Sequence, residues 1–356
     1  MDSCKYPVRQ NKKILLLTGL LILLFGSSVL AFGESEQEEG MVGYSVAATI
    51  PENQIHEENT FFDLKMEPKQ TQQIKATVFN STDQDIVVET AIHTAYTSAT
   101  GQIEYGKDIN KFDASLKYRL KDLLKLDGEK RITVPAGGKK EISATLTMPK
   151  EYFQGVLLGS WYFSRVDNLP KETDKKKGMT ITSQYSYAIG IKLTEDHEVV
   201  PDLKLLDVEA GMLNYHKGVF AKIQNYKAVI VPNLSIEGII TREDEDGIVK
   251  QAKLENLQMA PNSNFDFPIL YDKQKLESGD YHLRIKAKSE SYSWVLDQDF
   301  SISAKKAKKY NIESLDDTSG KKMINIALIF GIAGVILTIL IVLLIVLIYK
   351  RVKRRR

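Results

Sequence analysis

From Tyr44 to Thr194 apolar and polar positions alternate in short runs separated by turn residues. Ile74-Lys75-Ala76-Thr77-Val78-Phe79 is one such run, closed by the turn Asn80-Ser81-Thr82-Asp83. Ile86–Ile92 continues the series, and Arg131–Val134 leads into Pro135-Ala136-Gly137-Gly138. Ile142–Met148 keeps a clean period of two, and Gly155–Val166 and Thr180–Leu193 complete the set. Period two sends successive side chains to opposite faces, so short runs of this kind with Gly/Pro turns predict a β-sandwich or barrel. One stretch breaks the pattern. Leu116, Leu120, Leu123 and Leu124 share a helical face, which predicts a short helix over 116–126.

A second series opens at Pro201, after the polar joint Glu195–Glu198. Strands are expected near 203–209, 219–225, 233–241, 248–254, 265–270, 281–288 and 292–301, an immunoglobulin-like count. The acidic run Glu243–Gly247 reads as a hairpin tip, because Leu254 stands where a calcium loop needs its twelfth-position Glu. The fold expected is all-β, two tandem immunoglobulin-like β-sandwich domains over 42–194 and 201–304. A polar stalk over 305–322 and one C-terminal transmembrane helix complete it.

Two long apolar runs add a topology. Basic Lys5, Arg9, Lys12 and Lys13, the apolar stretch 14–30 and small residues up to Gly33 have the order of a secretory signal peptide over 1–33. Met323 to Tyr349 is apolar but for Asn325 and Thr338, long enough for the ~20 residues a spanning helix needs. The basic tail 350–356 that follows would stay cytoplasmic. The expectation is a single-pass cell-membrane protein with its ectodomain outside.

Charge then removes several functions. The two ends hold ten of the 48 Lys and Arg and one of the 46 acids, which leaves 34–322 with 38 bases and 45 acids. Nucleic-acid binding by phosphate neutralisation needs a basic folded face, so no nucleic-acid partner is expected. Cys4, the single cysteine, precedes the first apolar run, and the rest of the chain must be held by its cores. The absence of disulfides fits a bacterial surface better than an animal one.

Catalytic chemistry finds no foothold. His56, His93, His197, His216 and His282 form no metal-ligand spacing, and no nucleophile elbow or phosphate-binding loop occurs. No enzyme, cofactor or metal is expected. Leu169–Thr173 fails as a wall-sorting signal because Glu172-Thr173 replaces Thr-Gly, and Trp294-Val295-Leu296 reads as a strand with a core tryptophan. Trp161, Tyr162 and Phe163 could stack on sugar rings, although alternation puts Trp161 and Phe163 on one face and Tyr162 on the other.

Pro51–Gln54, Phe61–Leu64, Asn80, Ala95–Tyr105, Asp113–Leu116, Met148-Pro149 and Phe153–Gly159 resemble a known family in the first domain. Pro201–Leu203, Gln224-Asn225 and Met259–Phe265 continue the likeness in the second. By these motifs the chain is similar to the WxL-interacting proteins of Gram-positive bacteria. Ser98-Ala99 departs from the family's Asn-rich turn, and Ser160-Trp161 stands where a second glycine is common.

The resemblance implies a non-enzymatic surface scaffold. Its partners would be WxL-domain surface proteins, peptidoglycan through the first domain and host matrix proteins through the second. The alternative is an adhesin acting through the second domain. The candidate ligand-binding residues are Asn53, Gln54, Trp161, Tyr162, Asn262 and Asn264. For the Pro51–Gln54 and Met259–Asn264 motifs a purely structural turn is the competing reading.

Overall fold

The structure is a computed structural model that describes residues 43–167, 185–195, 199–242, 247–316 and 326–353. The expected signal peptide over 1–33 lies outside the described residues. So do Leu169–Thr173, Asp196–Glu198, Glu243–Asp246, the end of the expected stalk and the last three residues of the tail.

The first half folds into two facing sheets. One runs in the order β1 (Tyr44–Thr49), β3 (Thr71–Asn80), β9 (Lys139–Thr147) and β7 (Leu124–Leu126). The other runs β2 (Phe62–Lys65), β11 (Ser186–Thr194), β10 (Val156–Arg165), β4 (Ile86–Thr94) and β8 (Arg131–Val134). All neighbours are antiparallel except β2 and β11. The chain leaves the first sheet after β1 and joins the second as β2, so the two strands of one entry segment sit on opposite layers. The alternation seen in sequence is the packing. Ile74, Ala76 and Val78 of β3 are buried, as are Ile86 and Val88 of β4 and Trp161 and Phe163 of β10, while the residues between those of β3 are partly exposed.

The second half has seven strands, where seven are expected. β12 (Leu203–Leu213), β13 (His216–Asn225) and β16 (Ser263–Leu270) form one sheet. β15 (Ile248–Met259), β14 (Val231–Arg242), β17 (Gly279–Ser289) and β18 (Tyr292–Ile302) form the other. Their inner faces share one core that includes Val219, Ile223, Ile236, Phe267, Leu283 and Ile285. A small hairpin, β5 (Tyr96–Thr97) with β6 (Ile103–Glu104), projects from the first sandwich.

Three expectations are corrected. The helix over 116–126 shrinks to one turn, α1 (Leu120–Leu123), and Leu124–Leu126 pairs with β9 as β7. Leu120 and Leu124 are both buried, so the four-residue spacing is real but is met by a turn and a strand. The polar stretch after Ile302 is not an extended stalk at its start. It forms α2 (Ala304–Glu313), capped by the Ser303 side chain, with Ala307 buried in the second core and Tyr310 packed against it. Asn311 brackets the Leu276 backbone, donating to its carbonyl at 2.8 Å and accepting from its N–H at 2.9 Å. Two core-facing residues three apart suffice to dock a helix that is otherwise lysine-rich.

The third correction concerns the membrane. Among the described residues no helix is long and apolar enough to cross a membrane, which removes the terminal spanning segment from the expected fold. The C-terminal segment is helical as α3 (Ile326–Lys353).

Candidate functional site

The six candidate residues fall into three environments. Asn53 and Gln54 belong to the turn that carries the chain from β1 to β2. Asn53 donates to Lys65 O and Gln72 Oε1, both at 2.8 Å, and accepts from Gln72 Nε2 at 2.7 Å. Gln54 donates to Phe61 O at 2.8 Å and accepts from the Asp63 N–H at 3.0 Å. Side-chain amides bonded on both the oxygen and the nitrogen have little capacity left for a ligand. The Pro51–Gln54 motif is a turn that pins the strand entry. Asn53→Ala should lower unfolding stability by ~1–2 kcal/mol, because it strands the Gln72 amide. Binding to purified cell walls should not change, as a sedimentation assay beside the melt would show.

Trp161 and Tyr162 part company as alternation requires. Trp161 is fully buried, stacked on Phe163 at 5.5 Å between ring centroids, and its Nε1 donates to Thr90 Oγ1 at 2.6 Å. It is a core residue and reaches no ligand. Tyr162 lies half-buried on the outer face, its ring edge-on to His93 at 5.3 Å.

Asn262 and Asn264 sit at a seam between the sandwiches, and five of the ten family-like motifs meet there. Asp113 is the hub. Its Oδ1 accepts from the Ser115 N–H at 2.8 Å, the Ser115 hydroxyl at 2.6 Å and Gln224 Nε2 at 2.8 Å, and its Oδ2 accepts from Asn264 Nδ2. Asn262, held at a left-handed φ of 49°, donates to Tyr226 O at 2.9 Å and to Ser115 Oγ at 3.3 Å. Beside them Thr97 Oγ1 accepts from the Ala260 N–H at 3.0 Å and meets Ser263 Oγ at 2.5 Å, both buried. Backbone bonds cross the seam as well, from Gln258 N to Gly101 O at 2.8 Å and from Val156 N to Ala228 O at 2.7 Å. Ala95, Leu158 and Ala260 make a small apolar centre flanked by Ile103, Tyr105, Val156 and Ile230. Domain interfaces within a chain are usually mobile; here main-chain bonds and a small apolar centre couple the two sandwiches across the seam.

Partial burial pushes the Asp113 carboxyl up, and the donors from Ser115, Asn264 and Gln224 more than offset it, so the group is held below the usual carboxylate range. A lowered folded value means that the stabilisation is present above the unfolded value, near ~3.9, and is lost as pH falls through the folded one. Asp113→Asn should therefore destabilise the chain by ~1–2 kcal/mol at pH 7. The difference from the native chain should shrink in melts as pH falls through the folded value, which lies below the ordinary carboxylate range.

The strand-end asparagines repeat one device in both sandwiches. Asn80 closes β3 by donating to Gln84 O, Val134 O and Pro135 O. Asn225 closes β13 by donating to Val229 O at 2.7 Å and Ala260 O at 2.9 Å. Asp113, Thr97 and Gly155 were visible as motif residues but not as a site, since only the tertiary fold brings them together.

Among the described residues no group of three His, Cys, Asp or Glu is placed to hold a metal ion. Residues 44–165 match the family described as WxL Interacting Protein, peptidoglycan binding domain, and residues 176–312 match its host binding domain. The chain belongs to the WxL-interacting proteins, and both matched families are binding domains. No curated protein sequence matches it. Among solved structures it is similar to the class 5 fimbriae chaperone CfaA, at 14% identity over 73% of this chain and 99% of that one, with a TM-score of 0.30. The E. coli chaperone DraB gives 12% identity, 73% and 97% coverage and 0.28. The Pseudomonas aeruginosa chaperone CupB2 gives 9%, 67% and 97%, and 0.26.

Proposed function

We propose that this chain is a non-enzymatic scaffold of the cell surface that holds a WxL-domain protein and peptidoglycan at a fixed spacing. The observation that carries this reading is the seam. Bonds through Asp113, Thr97, Val156 and Gln258 join a domain of the peptidoglycan-binding family to one of the host-binding family. A linker that let each domain wander would serve two independent tethers; a rigid pair presents two ligands in one geometry. Linked sites also raise each other's effective concentration when the span suits both ligands.

The purified chain, incubated with cell walls and a WxL-domain protein, should carry that protein into the wall pellet. Sedimentation of the chain with wall alone, leaving the WxL-domain protein in solution, would reduce it to a peptidoglycan tether and overturn the scaffold.

A further inference from the structure

The first sandwich is open along one side. β1 is the edge of its sheet, and β11 is covered by β2 only from Ile191 onward. Between these two strands runs a cavity of about 850 Å³, lined by Val46, Ala48, Ile50, Phe61, Ala188 and Ile189 among others. Its far end reaches Tyr105, Leu158 and Ile230, which belong to the seam, so both domains border it.

The main chain shows which groups face this opening. The Asn80 N–H bonds to Gly138 O, so β3 turns its even residues to β9 and its odd residues to β1. Through the register Ser45↔Phe79 and Ala47↔Thr77, β1 spends its odd residues on β3. Val46 and Ala48 therefore turn N–H and C=O toward the open side. Tyr44 confirms the sense, because its carbonyl, on that same side, accepts from the Tyr187 hydroxyl at 3.0 Å and closes one end of the opening.

On β11, Thr194 O accepts from Met66 N, which puts the even residues outward. Ser186 and Ala188 then face the opening with no strand beside them among the described residues. The side chains agree. Val46 and Ala48 lie on the inner face yet remain half-exposed, whereas Ala76 and Val78 across from them on β3 are fully buried.

We propose that this opening receives an extended segment of a protein partner, which adds to the β1 edge as a strand. Its alternate apolar side chains enter between the two sheets, and a basic residue meets Glu57 and Glu58. The assignment follows from the chemistry of the walls. Free backbone donors and acceptors recognise a main chain, and apolar small residues leave room for branched side chains. The exposed Glu57 and Glu58 line the same cavity without an ion-pair partner among the described residues, and they select a cation. The inference rests on the scaffold reading in that the partner is the WxL-domain protein.

The test uses the full chain and a fluorescein-labelled peptide, Lys-Lys followed by four Val-Thr repeats. Two variants accompany it. Ala48→Pro deletes an outward N–H that the native ladder does not use, and Val46→Glu sets a charge in the groove; thermal melts check that both fold. Each should weaken the peptide at least about tenfold and reduce retention of the WxL-domain protein alike. Equal affinity in both variants, or no binding by the native chain, would overturn the proposal. Displacement of the peptide by soluble glycan strands would give the groove to wall sugars and overturn it too. A native chain that binds the peptide but retains no WxL-domain protein keeps the strand groove, and instead defeats the partner assignment and the scaffold reading.

Discussion

Trp161→Ala should cost ~3–5 kcal/mol of unfolding stability, the range for deleting a fully buried large aromatic. The side chain is 0% exposed, stacks on Phe163, and fills the space between the two sheets of the first sandwich. Its removal also leaves Thr90 Oγ1, in a fully buried residue, without the indole donor at 2.6 Å. In a domain of this size the melting temperature should fall on the order of 10 °C. Tyr162→Ala, one residue along on the outer face, should cost ~1 kcal/mol or less. Equal losses for the two, measured by calorimetry, would mean that the alternation of β10 is not what places them.

That pair shows how far the sequence could be read. Period-two alternation tells which residues share a face, and it separated Trp161 from Tyr162 correctly. It does not say which face meets the other sheet, so a buried tryptophan could pass for a sugar-stacking platform. The strands of the second domain were legible because each is bounded by turn residues and each carries its own core face. Docked α2 was not, because two contacts, Ala307 and Tyr310, are lost in a lysine-rich composition.

The polar motifs failed for a different reason. Asp113–Ser115 has the form of an Asx-turn, and that much is local. Its remaining lone pairs go to Gln224 and Asn264, over a hundred residues away, and no spacing in the chain encodes that meeting. The open side of the first sandwich was equally hidden. Val46 and Ala48 look like any strand, and only the pairing register reveals that their backbone groups face an opening.

Gly155→Ala should have the largest effect on how the two domains behave together. Gly155 adopts a φ of 88°, where a side chain is strained, and a Cβ built there would lie 2.1 Å from Ala228 O and 2.9 Å from Ala228 Cβ. Ala228 O also accepts the Val156 N–H across the seam, so it cannot retreat without breaking that bond. Neither neighbour is a flexible side chain that could swing aside. Backbone strain of ~1–3 kcal/mol therefore adds to a lost hydrogen bond of ~1 kcal/mol, and the strain is relieved only if the second sandwich moves away. The native chain, coupled through the seam, should melt in one calorimetric transition. The variant should show two, one for each sandwich, with each core intact by near-ultraviolet dichroism. Binding to wall alone should survive, because the first sandwich keeps its own core, whereas delivery of a WxL-domain protein to the wall should fall, because the seam residues Leu158 and Ile230 that close the far end of its groove come apart. A single transition at the native temperature would mean that the seam yields at Ala228 without cost, and the rigid spacing on which the scaffold depends would go with it.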